Sequence, residues 1–334
     1  MVEFLSEYAL FLAKAITVVV SILIVAVGIA SLSGRRRSDS VENVEIKSLN
    51  DEYDRMARTL KTGMVVKGKR RQLLRRWKRE HKRERHARTD QAPRQRIFVL
   101  GFHGDMLATA VATLRQEVTA ILTVAEPGDR VVVRLESAGG AVHAYGLAAS
   151  QIARFREHKV PVTVAVDKIA ASGGYMMACT AEHIIAAPFA VLGSIGVVAQ
   201  LPNFHRLLEK NDIDFELFTA GEFKRTITLF GENTDKARAK FREEIEEVHV
   251  LFKDFVKQNR PVLDLAQVAT GEHWYGSRAL ELKLVDELRT SDDYLLEASR
   301  DADLYAVTYH AKKGLWARIL PSMDQDVANR VVPY

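Results

Sequence analysis

Cysteine is almost absent from this sequence. The 334 residues include a single one, Cys179, in the apolar stretch MMACTA. One cysteine excludes an internal disulfide framework and a zinc site made of cysteines, and its apolar neighbours predict a small buried side chain. No metal-ligand or cofactor motif occurs elsewhere in the sequence, so we expect a protein that uses no cofactor.

Acidic residues are scarce in one segment, residues 61–96. This segment carries fifteen lysines and arginines against three acids, although the whole chain has a net charge of only +5. Its low apolar content predicts a solvated helix or linker. Attraction to anionic lipid headgroups is the functional alternative, because a predicted membrane anchor lies nearby. Nucleic-acid binding is disfavoured, since Trp77 is the only aromatic residue of the segment.

Long apolar runs are absent with one exception, residues 9–32. No charged residue occurs between positions 15 and 32, which is about the length that a helix needs to cross a bilayer. A cleaved signal peptide fits less well, because Glu3 and Glu7 replace the expected basic start. The arginines at 35–37 favour a single-pass protein whose C-terminal part lies inside the cell.

The rest of the sequence alternates between strand and helix patterns from Ile97 onward. Apolar strands at 97–102, 130–135 and 160–166 are separated by helical patterns at about 108–125 and up to His158. This alternation predicts an α/β fold with a mostly parallel sheet and functional loops beyond the C-terminal strand ends. We therefore divide the chain as follows: tail 1–8, transmembrane anchor 9–32, basic linker 33–96, folded domain 97–300 and tail 301–334.

Residues 160–175, VPVTVAVDKIAASGGY, are the most informative stretch. A buried strand leads to Ser172 at the start of a predicted helix, and Gly173 and Gly174 leave the serine uncrowded. Backbone N–H groups at such a helix start suit an oxygen that becomes negative during a reaction. The alternative is an ordinary helix N-cap, for which serine is a favoured residue.

A second glycine pair occupies the equivalent position one strand earlier. Gly139 and Gly140 follow the strand RVVVRL, just as Gly173 and Gly174 follow the next strand. Parallel neighbouring strands would bring both pairs to one edge of the sheet, where converging N–H groups form an oxyanion hole. A phosphate-binding loop is disfavoured, because neither pair lies in GxGxxG or GxxxxGK[ST].

A serine nucleophile requires a base. His183 and His205 follow Ser172 in sequence, but neither has an obvious acidic partner to orient it. A lysine serves instead where burial makes it neutral. Lys224 and Lys168 are the candidates. Lys224 lies between a predicted strand at 215–219 and a predicted helix that starts near Thr234, and spacing alone favours it only slightly, because Phe223, Ile227 and Leu229 could bury it.

Five segments together resemble a known family. They are ESAGGAV (136–142), DKIAASGGYMMA (167–178), LGSIGVV (192–198), AGEFKRT (220–226) and TGEHWYGSRALELKLVDEL (270–288). In order and spacing they are similar to the signal peptide peptidase A family of Ser-Lys serine peptidases, peptidase family S49. One departure is Glu136-Ser137-Ala138-Gly139-Gly140, where the family often has Asn-Ser-Pro-Gly-Gly.

The resemblance implies roles for individual residues. Ser172 falls on the family's nucleophile and Lys224 on its general base. The residues that fall on its oxyanion hole are Gly139, Gly140 and Gly173. The residues that fall beside its substrate strand are Gly193, Ser194, Ile195 and Gly196.

The resemblance also implies a fold and partners. We expect a ClpP/crotonase-like spiral of ββα units, preceded by the transmembrane helix and the basic linker. The expected partners are a membrane-associated or signal-peptide-like peptide substrate, the lipid of the bacterial inner membrane, and further copies of the chain, with serine and lysine supplied by neighbouring subunits. The alternatives are a crotonase-like CoA-thioester enzyme and a catalytically idle membrane scaffold.

Overall fold

The computed structural model describes residues 10–22, 44–65, 77, 79 and 94–310. The chain divides into two units, residues 1–43 and 44–334. In the first unit, residues 10–22 form helix α1. No helix among the described residues is long and apolar enough to cross a membrane. Residue 9 and residues 23–32 of the predicted anchor lie outside the described part, as does the part of the predicted tail after His310.

The second unit is built on a mixed sheet. Its described strands are β1 Val44–Ser48, β2 Gln95–Gly104, β3 Arg130–Ser137, β4 Val162–Val166, β5 Ile169–Ala171, β6 His183–Ala186, β7 Val191–Gly193, β8 His273–Tyr275, β9 Glu287–Leu288 and β10 Ala302–Tyr309. Its described helices are α2 Leu49–Gly63, α3 Val111–Val124, α4 Val142–Glu157, α5 Gly173–Ala178, α6 His205–Lys210, α7 Asp235–Asn259, α8 Leu265–Val268, α9 Gly276–Glu281 and α10 Ser291–Ala298.

The sheet has the strand order β1-β10-β2-β3-β4-β6-β9. Every neighbouring pair along this path is parallel except β1 and β10 at one edge. A side branch leaves β3 through the short strand β5 and continues to β7 and β8. The predicted α/β fold with a mostly parallel sheet is therefore confirmed.

Alternate residues of each central strand face two separate apolar layers. In β3, Val131, Val133 and Leu135 point into the larger core, whereas Val132 points to the opposite face of the sheet. Helices α3, α4 and α5 cover the larger core, while α2 and α10 cover the other face. Strands β3 and β4, which are buried on both faces, are therefore rich in valine, as expected for a parallel sheet with both faces covered.

The single cysteine lies in the larger core. Cys179 is fully buried, and burial raises the pKa of its thiol to about 12. The thiol is therefore protonated and unreactive, since the thiolate is the nucleophilic form. The prediction of a small buried side chain is confirmed.

One prediction about local structure requires correction. Residues 215–219, predicted as a strand, are irregular and exposed, because no strand among the described residues lies beside them to pair with. Strand β1 and helix α2 fall within the predicted linker 33–96, and β10 falls within the predicted tail 301–334. The sheet therefore extends beyond residues 97–300, and β10 joins it by pairing with both β1 and β2.

Candidate active site

Ser172 has an unusual backbone conformation. Its φ of 52° and ψ of −118° correspond to the first central position of a type II′ turn, which glycine normally occupies. The Ser172 N–H donates to the carbonyl of Gly193 at 2.8 Å, which fixes the turn between β5 and α5. A non-glycine residue held in such a conformation is strained, and strain of this kind is concentrated at functional sites.

The Ser172 hydroxyl does not cap the helix that follows. It makes no side-chain capping hydrogen bond to α5. The half-buried hydroxyl also has no hydrogen-bond partner within the described residues. The alternative in which Ser172 is an ordinary N-cap is therefore wrong, and the hydroxyl is left available for chemistry.

The two glycine pairs lie side by side, as their positions in the sequence predict. A Cβ built on Gly139 would lie 2.7 Å from the Gly173 nitrogen and 2.8 Å from the Ser172 Cβ. A Cβ on Gly174 would lie 2.4 Å from the Ser137 carbonyl oxygen. The loops after β3 and β5 therefore pack backbone against backbone, and no larger residue fits at these contacts without displacement.

The N–H groups of these glycines differ in their hydrogen bonding. The Gly139 N–H donates to the Ser137 Oγ at 3.0 Å. In the part of the chain that the structure describes, the N–H groups of Gly140 and Gly173 donate to no acceptor. Gly140 and Gly173 are therefore the free donors beside Ser172, and the predicted role of Gly139 as a donor remains a prediction.

A chain of buried hydroxyl groups lies behind the Gly139 loop. The Ser137 Oγ lies 2.6 Å from the Tyr145 Oη, which donates to the Asp105 carbonyl at 2.7 Å. Burial raises the pKa of the Tyr145 hydroxyl, and the hydrogen bond with Ser137 lowers it by less. Sequence reasoning did not identify Ser137 or Tyr145, and the only signal was a serine two residues before the glycine pair.

A narrow apolar cavity opens beside Ser172. Its volume is about 20 Å³, which is little more than the space for one water molecule. The lining residues are Gly140, Val142, Ser172, Gly173, Met176, Gly196, Val197, Val248 and Phe252. Two of them belong to α7, which is far from Ser172 in sequence, so the cavity could not be predicted from the motifs.

Lys224 lies outside this cavity. The residue is exposed in an irregular segment between α6 and α7, and its backbone N–H donates to the Gly221 carbonyl at 3.2 Å. Among residues 94–310, its ammonium group has no ion pair or hydrogen bond. Of the apolar residues predicted to bury it, Phe223 and Leu229 are themselves exposed and Ile227 is half-buried. One chain alone therefore does not bring Lys224 to Ser172.

Lys168, the other candidate base, forms an ion pair with Glu136. Its ammonium donates to the Glu136 carboxylate at 3.0 Å, and its side chain is 72% exposed. An ammonium that donates in this way has no lone pair to accept a proton. Lys168 also lines a separate cavity, with His103 and Arg134, that does not include Ser172.

The two histidines considered as bases are also placed away from Ser172. His183 is the first residue of β6, at the N-terminal edge of the parallel sheet, and it lies 3.4 Å from the Glu287 carboxylate. His205 begins α6 in the exposed segment. Neither histidine lines the cavity beside Ser172.

Comparison with known proteins identifies the family. A model described as peptidase family S49 N-terminal matches residues 3–152, and one described as peptidase family S49 matches residues 154–305. The chain belongs to peptidase family S49. It is therefore a serine-type protease, and the resemblance inferred from its motifs is confirmed.

The relatives in this family are proteases of the SohB type. A probable protease SohB from Haemophilus influenzae is 44% identical over 341 residues, which cover 99% of this chain and 96% of the relative. A second, from Buchnera aphidicola, is 51% identical over 239 residues, which cover 72% of this chain and 71% of the relative. A similar solved structure is that of 1510-N, a membrane-bound stomatin-specific protease in complex with a substrate peptide. Its sequence is 12% identical, the TM-score is 0.38, and the match covers 68% of this chain and 97% of that one.

In this S49 peptidase, residues 193–196 continue from the end of β7, the neighbour of the strand β5 that leads to Ser172. Gly193 and Ser194 both have positive φ, and the Ser194 N–H donates to the Glu272 carbonyl at 2.7 Å. Ile195 is fully buried and Gly196 lines the cavity beside Ser172. Within the described part, the backbone N–H groups of 195–201 donate to no acceptor. Their use by an extended peptide that adds as a strand remains a prediction.

Proposed function

We propose that this S49 peptidase hydrolyses peptide bonds with Ser172 as the nucleophile. The supporting observation is the uncapped Ser172 hydroxyl on a strained turn, beside the free N–H groups of Gly140 and Gly173. The hydroxyl attacks the scissile carbonyl, whose oxygen becomes an anion between the two donors. The amine leaves with a proton, and water then releases the acyl group from Ser172.

Lys224 from a neighbouring subunit is our proposed base. We infer a neighbour because Lys224 is exposed and, within the described residues, neither hydrogen-bonds to Ser172 nor lines its cavity. The segment that carries Lys224 exposes many large apolar side chains to water: Val198, Leu201, Phe204, Leu207, Ile213, Phe215, Leu217, Phe218, Phe223, Leu229 and Phe230. An apolar surface of this kind marks an interface, and a second copy that covers it would exclude water from Lys224.

The membrane is the proposed location of this homo-oligomer. Residues 15–32 carry no charge, three arginines follow at 35–37, and residues 61–96 are strongly basic. An apolar anchor with a basic neighbour binds anionic inner-membrane lipids through both segments. The substrates are accordingly membrane-associated or signal-peptide-like peptides.

A phosphonate label tests this function directly. A peptidyl phosphonate ester reacts with a serine that is activated as a nucleophile, so we expect one covalent adduct on Ser172 in the full-length protein, located by mass spectrometry of its peptides. A CoA-thioester enzyme needs no nucleophilic serine, and an idle scaffold has no activated one. An unlabelled protein, or a label on a different serine, would contradict the proposal.

The narrow cavity predicts a preference for small apolar side chains before the cleaved bond. A difference of one methylene in such a pocket changes kcat/KM by about 10–200-fold, so peptides with alanine at this position should exceed those with phenylalanine by at least tenfold. Val248→Ala removes part of the cavity wall. It should raise kcat/KM for leucine peptides relative to alanine peptides by about tenfold. The measurement is kcat/KM for matched fluorogenic peptides.

Val250→Ala is the matched control for the cavity. Val250 lies two residues along the same helix but is exposed and does not line the cavity, so this variant should keep the wild-type ratio of alanine to leucine peptides. If Val248→Ala and Val250→Ala gave the same ratio of kcat/KM for alanine and leucine peptides, the cavity would not be the site that receives the substrate side chain.

A further inference from the structure

The oxyanion loop is held by a hydroxyl chain that connects three segments. The chain starts at the Gly139 N–H after β3, passes through the side chains of Ser137 and Tyr145, and ends at the Asp105 carbonyl after β2. Tyr145 is fully buried and Ser137 nearly so. Water therefore cannot easily replace either hydroxyl, and an unpaired member would be costly.

The hydrogen bonds of this chain run in a single direction. The Tyr145 hydroxyl has one proton and donates it to the Asp105 carbonyl, which can only accept. Tyr145 must therefore accept the proton of Ser137, and the Ser137 Oγ accepts the Gly139 N–H. This order fixes the plane of the peptide bond before Gly139. The Gly139 φ of 90° then places the carbonyl carbon of Gly139, to which the next N–H, that of Gly140, is attached through the peptide bond.

The ring of Tyr145 contacts the start of α5, where the second free donor, Gly173, lies. A Cβ built on Gly173 would lie 2.4 Å from the Tyr145 Cγ, so the helix start rests directly on the ring. Gly104 leaves room for the hydroxyl pair, because a Cβ there would lie 2.3 Å from the Tyr145 Oη and 2.4 Å from the Ser137 Oγ. One buried tyrosine thus contacts both loops that carry free N–H donors.

We propose that Ser137 and Tyr145 are positioning residues that aim the Gly140 N–H at the oxyanion formed during peptide hydrolysis. The inference rests on the function proposed above. Neither residue touches the substrate, since they act through the peptide bonds of Gly139 and Gly140. They should therefore affect the transition state, in which the oxyanion exists, far more than the bound peptide.

Tyr145→Phe tests this role, because it keeps the ring under Gly173 and removes only the hydroxyl. Loss of one oxyanion donor lowers kcat by about 10²–10³-fold, so a misdirected donor should lower kcat by about 10–100-fold. KM should change less than about twofold, since ground-state binding is untouched. Affinity for a peptide boronate, whose tetrahedral adduct carries the oxyanion, should fall in parallel with kcat/KM.

Tyr175→Phe is the matched control. Tyr175 is equally buried, and its hydroxyl likewise donates to a backbone carbonyl, that of Leu284 at 2.9 Å, but it has no link to Gly139. Both substitutions should lower thermal stability by similar amounts, whereas Tyr175→Phe should keep the wild-type kcat. Ser137→Ala should match Tyr145→Phe, and the double variant should be no worse than the poorer single one, because both act through one chain.

The outcomes separate this inference from the proposed function. Wild-type kcat in Tyr145→Phe and Ser137→Ala, or an equal loss in Tyr175→Phe, would overturn the positioning role while leaving Ser172 as the nucleophile. A wild-type protein that neither hydrolyses peptides nor reacts with the phosphonate would overturn both. Should Tyr145→Phe fail to fold, the kcat, KM and boronate affinity of Ser137→Ala decide the question.

Discussion

Ser172→Ala is expected to lower peptide hydrolysis by about 10⁴-fold or more, because no other group can form the acyl intermediate. Folding should be unaffected, since the Ser172 hydroxyl makes no capping hydrogen bond that the substitution could remove. The measurements are turnover of a fluorogenic peptide and the melting temperature of the same preparation. A variant that keeps wild-type turnover would show that Ser172 is not the nucleophile.

Ser172→Gly is the companion variant that isolates the strained backbone. It should be as inactive as the alanine variant but more stable than it by about 1 kcal/mol, because glycine relieves strain of about 1–3 kcal/mol while adding backbone entropy to the unfolded chain. Denaturant unfolding of the two variants measures this difference. A glycine variant that is less stable than the alanine variant would show that the turn at Ser172 is not strained.

The central sheet was predictable because its signals are local. Strands β2, β3 and β4 are apolar runs bounded by turn residues, and the helices between them carry apolar residues at helical spacing. Buried parallel strands produce such runs whatever their neighbours are. The order of these elements along the chain therefore followed from the sequence.

The edges of the fold were not predictable in the same way. Strand β1 exposes most of its residues, and its position depends on pairing with β10, which lies at the other end of the described chain. Residues 215–219 have strand-like alternation but no partner strand. Pairing across long sequence separations decides such cases, and no local pattern reports it.

The same distinction between local and long-range signals applies to the residues of the site. Ser172 and the glycine pairs were found because each lies where a strand ends and a helix begins, a position that local patterns reveal. The hydroxyl chain was missed because it depends on the contact between Tyr145 in α4 and the Asp105 carbonyl after β2, 40 residues earlier. The cavity wall from Val248 and Phe252 was missed because these residues look like ordinary apolar positions of a long amphipathic helix.

Lys224→Arg should be as inactive as Lys224→Ala, with turnover at least about 10²-fold below wild type, since general base catalysis contributes about 10²–10⁴-fold and a guanidinium stays protonated. Lys168→Ala should keep most activity, because Lys168 is ion-paired with Glu136 at the surface. The measurement is kcat/KM for one peptide with all three variants. An active Lys224→Arg, or an inactive but folded Lys168→Ala, would move the base elsewhere.

The pH profile distinguishes a lysine base from a histidine base. Only an uncharged lysine accepts the serine proton, and the uncharged fraction grows as pH rises. Activity should therefore climb through neutral pH into the alkaline range, whereas a histidine would give a rise centred near about 6.5. A rise centred near about 6.5 that is complete by pH 8 would favour a histidine over Lys224 as the base.

Mixing the two inactive variants shows whether Lys224 and the Ser172 that it activates belong to the same subunit. In a ring whose sites join Ser172 of one subunit to Lys224 of the next, an evenly mixed oligomer of Ser172→Ala and Lys224→Ala regains about one intact site in four. Activity should return to about a quarter of the wild-type value, measured on oligomers that carry both variants under different affinity tags. If both residues came from the same chain, every site would lack one of them, and the mixed oligomers would stay inactive. The exposed position of Lys224, outside the cavity that holds Ser172, favours recovery.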